Sequence, residues 1–165
     1  QGLLNTPTGE AMAQRFGGVD RCLRRFLAAT QNRMDEAEKR FNATLQWRVA
    51  NAVDEGCGPE LWRRVRPYWP AAFHGQAKDL SPVQYFDISH LHPQALKSRF
   101  TESELRRFWV EWLETGLGLQ RASLNEQEGA GKGAAAQHGT INIYDLQGMG
   151  RQHLDMGIIR LFVRL

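Results

Sequence analysis

The sequence predicts an α/β domain in which helices cover a sheet. Apolar residues recur at helical spacing in several stretches, and two short runs, 83–89 and 140–145, are rich in β-branched and aromatic residues. In the second half of the chain the two kinds of element alternate, in the order helices, then β, α, β, α. Two strands do not make a sheet that stands alone in water. The expectation therefore includes further strands, either within the chain or beyond Leu165.

The bulk properties bound the class. A length of 165 residues favours one domain with room for a small appendage. With 42% apolar and 24% charged residues the chain is globular in composition, not disordered. The formal charge of +3 comes from 21 basic and 18 acidic residues, interspersed. So small an excess is weak evidence for a nucleic-acid partner; it fits an acidic membrane surface equally well, or nothing in particular. Cys22 and Cys57 are too few for a disulfide framework and lack metal-ligand spacing, so a reduced, intracellular protein is expected. No run approaches the ~20 apolar residues of a spanning helix, and the N-terminal residues given do not read as a basic-then-apolar leader. The first residue is Gln1, which predicts a processed, trimmed or incomplete product.

Residues 1–18 carry Gly, Pro and Thr without a period and read as a flexible arm. Val19, Cys22, Leu23, Phe26 and Leu27 then form an amphipathic stripe, with Arg21, Arg24 and Arg25 on or beside the other face. Asp35 and Glu38 have capping-box spacing at the start of a second helix, along which Ala37, Phe41, Leu45, Arg48 and Val49 keep helical spacing. Gly56 and Gly58-Pro59 end it. A shorter helix starts at Pro59 and stops at Pro67 and Pro70. Residues 74–82 read as a polar turn and Val83–Ser89 as a strand. Thr101 and Glu104 form a capping box for the clearest helix, with Leu105, Phe108, Trp109, Trp112 and Leu113 as its stripe and Gly116 as its C-terminal cap. The small, flexible stretch 126–139 reads as a surface loop. The strand Thr140–Asp145 and a helix from about Arg151 complete the chain.

Several motifs tempt a catalytic reading. Gly148-Met149-Gly150 is a G-x-G, but a dinucleotide fingerprint needs a third glycine where His153 stands. Gly129 to Gly133 resembles a phosphate loop, but has Glu126 where Gly is needed and Gly133 where Ser or Thr is needed. His90 and His92 are a pair without a third metal ligand. Asp145 ends a strand with no nucleophile or second acid placed near it, and is better explained as an acceptor for the turn that follows. Arg63, Arg64 and Arg66 near Trp62 and Tyr68 read as a solvated basic face over core aromatics. A binding module therefore outranks an enzyme. An α/β enzyme acting through Asp145 is the weakest alternative.

Several segments, taken in order, resemble the CRAL-TRIO lipid-binding family, in the style of the fungal phosphatidylinositol/phosphatidylcholine transfer proteins. They are Arg25-Phe26-Leu27 followed by Trp47-Arg48 with Ala37 and Phe41 between, then Tyr68-Trp69-Pro70, His74, Lys78-Asp79 and Pro82-Val83-Gln84-Tyr85. The aromatic helix 102–116 and Asp145-Leu146-Gln147-Gly148 complete the set. The resemblance covers about residues 19–165. It implies an N-terminal helical region over 19–58 and a CRAL-TRIO-type sheet flanked by helices over 59–165, incomplete at the C-terminus. It also implies a non-enzymatic domain without cofactor or metal. Such a domain binds one hydrophobic lipid, such as phosphatidylinositol or phosphatidylcholine, and transfers or presents it in the cytoplasm at a membrane surface that it touches transiently. The lipid-binding residues so implied are Phe73, Tyr85, Trp112, Leu113, Thr140 and Asn142. Thr140 and Asn142 stand at two polar headgroup positions, Phe73 and Leu113 where relatives have headgroup tyrosines, and Thr30 where a basic residue meets the inositol phosphate. The alternative is a membrane- or protein-interaction module without lipid transfer.

Overall fold

A computed structural model describes residues 6–129 and 139–163, without the side chains at 162 and 163. It divides into two compact units, Gln1–Glu55 and Gly56–Leu165, with the division three residues before the boundary expected after Gly58.

The first unit is helical. The stretch expected as a flexible arm holds α1, Pro7–Arg15. Thr6 caps it by accepting from the Gly9 amide at 3.1 Å, and Pro7 occupies the first turn. Met12 and Ala13 are fully buried. Nine residues with so few large apolar side chains show no visible stripe, which is why periodicity missed the helix. α2, Val19–Ala29, and α3, Met34–Ala50, follow as expected. Met12, Ala13, Cys22 and Phe41 form the core, with Phe16, Phe26 and Leu45 packed against it. The Phe26 ring meets Phe41 edge-on at 5.3 Å. No side chain caps α3, whose N-cap is Arg33. The Asp35–Glu38 capping box is therefore absent, and Asp35 instead places its charge in the first turn. Burial pushes the Cys22 thiol up to about 11, so it stays protonated at neutral pH.

The second unit is the α/β part. α4 spans Pro59–Val65, β1 Ala71–Gln76, β2 Pro82–Asp87 and α5 Pro93–Arg99. α6 runs Glu102–Gly129, β3 Ile141–Asp145 and α7 Met156–Val163. Among the described residues the strands form one three-stranded sheet in the order β1-β2-β3, with β1 antiparallel and β3 parallel to β2. A parallel neighbour needs a crossover, and α5 and α6 lie in that connection.

Three departures from expectation have local causes. β1 occupies part of the presumed polar turn. Its sequence, AAFHGQ, lacks β-branched residues, and its register shifts between Phe73 and Gln76, where Gly75 adopts a φ of 66°. α5 was not expected. Pro93 starts it and the fully buried Leu96 anchors it. Gly116 does not end α6, which continues to Gly129 and so takes up the start of the presumed loop; residues 130–138, with most of the phosphate-loop resemblance, lie outside the described residues. The start of α6 is as expected. The Thr101 hydroxyl accepts from the Glu104 amide at 3.2 Å, and the Glu104 carboxylate accepts from the Thr101 amide at 2.8 Å.

Gly116 serves packing instead. A Cβ there would lie 3.0 Å from the Phe73 ring, which is itself stacked on Trp112 at 4.9 Å. Gly116→Ala should therefore destabilise the unit. Overpacking of about 1–3 kcal/mol exceeds the ~1 kcal/mol that alanine contributes to a helix interior. The urea midpoint should fall with an unchanged m-value.

The core of this unit is aromatic. Trp69 meets Phe86 edge-on at 5.0 Å, and Trp62 stacks parallel to Trp112 at 5.9 Å. Leu61, Val65, Leu96, Leu105 and Phe108 fill the space around them. No helix among the described residues is long and apolar enough to cross a membrane.

Candidate functional site

The register sorts the sheet into two faces. Ala71 pairs with Phe86, Phe73 with Gln84, Gln84 with Asn142, and Phe86 with Tyr144. These residues share the face on which α6 packs, where the Trp112 indole donates to the Gln84 amide oxygen at 3.0 Å, although Asn142 and Tyr144 at its β3 edge are exposed. Ala72, Val83, Tyr85, Ile141, Ile143, Asp87 and Asp145 share the other face. Tyr85 is 39% exposed, Ile141 41% and Ile143 47%, a high exposure for side chains of this kind.

The predicted lipid-binding residues are divided between these faces. Phe73, half-buried at the edge of the core, is stacked on Trp112, which is only 3% exposed and packs within the core. Its indole N–H is already satisfied, as a buried tryptophan requires. Thr140 accepts from the Gln120 side-chain amide at 2.7 Å and faces α6. Asn142 is exposed on the same face. Tyr85 lies on the opposite face, and Leu113 is 46% exposed on α6. The six therefore do not line one cavity. Thr30 is buried, and its hydroxyl donates to the Phe26 carbonyl at 2.9 Å.

The C-terminal ends of β2 and β3 carry the polar groups. The Tyr85 hydroxyl donates to Asp145, whose other oxygen accepts from the Gln147 amide at 2.9 Å. First the tyrosine and then that amide hold the Asp145 carboxyl below the usual carboxylate range. The same bond raises the Tyr85 phenol. The turn-fixing role expected for Asp145 is thus in place, and Gly148, at a φ of 75°, completes the turn. Asp87 accepts from the Ser89 hydroxyl at 2.6 Å and lies 2.7 Å from Nδ1 of His90. Its carboxyl is lowered, mainly by Ser89. A carboxylate only accepts, so Nδ1 carries the proton and Nε2 faces away from Asp87. The serine proton goes to Asp87 and not to the imidazole, so the trio lacks the order of a nucleophile activated by a base. His92 precedes α5 as its N-cap and takes no part. No group of three or more metal-ligating side chains occurs among the described residues.

These depressed carboxyls have a consequence for pH. A group whose folded pKa lies below its unfolded value stabilises the fold above the unfolded value and loses that contribution as pH falls through the folded one. Asp145, Asp87 and Glu104 are all lowered. Stability should therefore decline on acidification below ~pH 4. In urea titrations across that window, Asp145→Asn should make the decline shallower.

Comparison with known proteins assigns no family. No family model matches the chain. Over 103 residues, 60% of its length, the chain is 27% identical to Protein real-time of Aedes aegypti. The matched part spans 16% of that protein.

Two features lay outside the sequence-predicted set. A groove of about 490 Å³ lies between α5, α6 and α7, with Phe100, Leu105 and Ile158 as its floor and Lys97, Arg106 and Arg160 among its walls. The distal part of α6 is also joined to the sheet by polar contacts. Gln76 donates to the Ser123 hydroxyl at 3.0 Å, and Gln127 donates to the Asp79 carbonyl at 2.6 Å. The spacing of Gln120, Ser123 and Gln127 along one helical face was a legible signal for this seam.

Proposed function

We propose that this chain is part of a CRAL-TRIO-type lipid-binding domain that holds a hydrophobic lipid and presents it at a membrane surface without breaking bonds. The observation that supports this most is the uncovered sheet face, where Val83, Tyr85, Ile141 and Ile143 adjoin one another in register. An acyl chain laid on such a face gains roughly 0.8 kcal/mol for each CH₂ taken from water. The polar groups that would select a headgroup lie at one end, at Tyr85 and Asp145, as ligand sites require.

The test is organic extraction of the purified protein followed by mass spectrometry. A phospholipid or other hydrophobic molecule near one per chain is expected, and its absence overturns the proposal. Ile143→Asp should lose the lipid while the folded protein persists, because exposed positions cost little stability, within about 0.5 kcal/mol. A second reading, a membrane- or protein-interaction module without transfer, is favoured by Thr30, whose hydroxyl is committed to its own helix. Binding to phosphoinositide vesicles by protein that carries no extractable lipid would select it.

A further inference from the structure

We propose that α6 is a two-part helix whose distal part, Leu119–Gly129, opens from the sheet about Gly118. The two parts are held by different forces. In the proximal part Leu105, Phe108, Val110 and Trp112 are buried, three of them in the aromatic core. In the distal part the buried residues are Ser123 and Gln127, both polar. That part is tied to the sheet by Gln120 to Thr140 at 2.7 Å, Gln76 to Ser123 at 3.0 Å, and Gln127 to the Asp79 carbonyl at 2.6 Å. A neutral hydrogen bond of this kind weights an opening equilibrium by only about fivefold, since water replaces it on opening. Buried aromatic rings have no such substitute in water.

Two details favour the open state. The Gln127 side-chain oxygen is buried with no hydrogen-bond partner among the described residues, and opening would hydrate it. Gly118 stands in the helix interior without a packing reason among the described residues: a Cβ there would meet none of them within 4 Å, whereas Gly116, two residues earlier, is pressed against Phe73. Glycine weakens a helix interior about fivefold relative to alanine, and at 118 nothing in the closed packing compensates. The cost falls at the junction between the aromatic and the polar part. Opening there would free the α6 side of the sheet around Thr140 and Asn142. The hinge does not rest on the lipid-binding proposal, whose surface is the opposite face of the sheet.

Hydrogen exchange on the ligand-free full chain, read by mass spectrometry, tests the hinge apart from any lipid. After correction for intrinsic rates, amides of 119–129 should exchange at least tenfold faster than those of 103–114. They should do so as one block and with little dependence on low urea, as a sub-global opening requires. Gly118→Ala should slow that block about fivefold. Coincident rates and urea dependence in the two parts would overturn the hinge, as would an unchanged block in Gly118→Ala. Rates that rise steadily toward Gly129 would mean end fraying and overturn it as well.

Discussion

Trp112→Ala should destabilise the α/β unit by about 3–5 kcal/mol, the range for removing a buried large aromatic. Trp112 is the ring on which the core converges. Phe73 stacks on it at 4.9 Å, Trp62 lies parallel at 5.9 Å, and the Arg66 guanidinium sits 5.4 Å above it. Truncation opens a cavity bounded by rings that cannot collapse far. It also orphans the amide oxygen of Gln84, which is itself buried. Against a total stability of roughly 5–15 kcal/mol the loss is a large share. Urea unfolding followed by circular dichroism should show it directly. A pocket wall would behave differently: its truncation would reduce lipid content and leave the midpoint nearly in place. A loss below about 1 kcal/mol would therefore return Trp112 to the binding surface and sink the core assignment.

Met12→Ala should cost the helical unit about 2–5 kcal/mol. Met12 is fully buried against Ala13, Cys22 and Phe41, in a core of few residues. A small core has little redundancy, so each large side chain carries a greater part of its stability. Val49→Ala, at a position 62% exposed on α3, is the control and should stay within about 0.5 kcal/mol. Removal of residues 1–18 should reproduce the effect of Met12→Ala or exceed it. If the truncated chain unfolds like the intact one by circular dichroism in urea, α1 is not part of that core.

The elements that were legible in the sequence carry strong local signals. α2 and the start of α6 show apolar stripes, and α6 has its Thr101–Glu104 capping box. β2 and β3 carry the β-branched and aromatic residues that suit a pleated surface. The elements that were missed are those whose stability comes from elsewhere. α1 is short and held by the buried Met12 and Ala13 side chains, β1 is a bulged strand held by pairing with β2, and α5 is anchored by Leu96. Gly116 illustrates the ambiguity. A glycine late in an apolar stripe reads as a helix stop, yet here it admits the Phe73 ring, a contact between residues far apart in the chain.

By itself the sequence determined the α/β class, the placing of Thr140, Asn142 and Tyr144 on one side of β3 with Ile141, Ile143 and Asp145 on the other, and the turn-holding part of Asp145. Those follow from strand period and from the short reach of an aspartate side chain. Only the tertiary structure decided which of the two faces is covered. Alternation separates the faces of a strand but does not say what is packed on either one. α6 lies over Phe73, Gln84 and Phe86, which makes Trp112 a core residue and leaves Tyr85, Ile141 and Ile143 exposed on the other face.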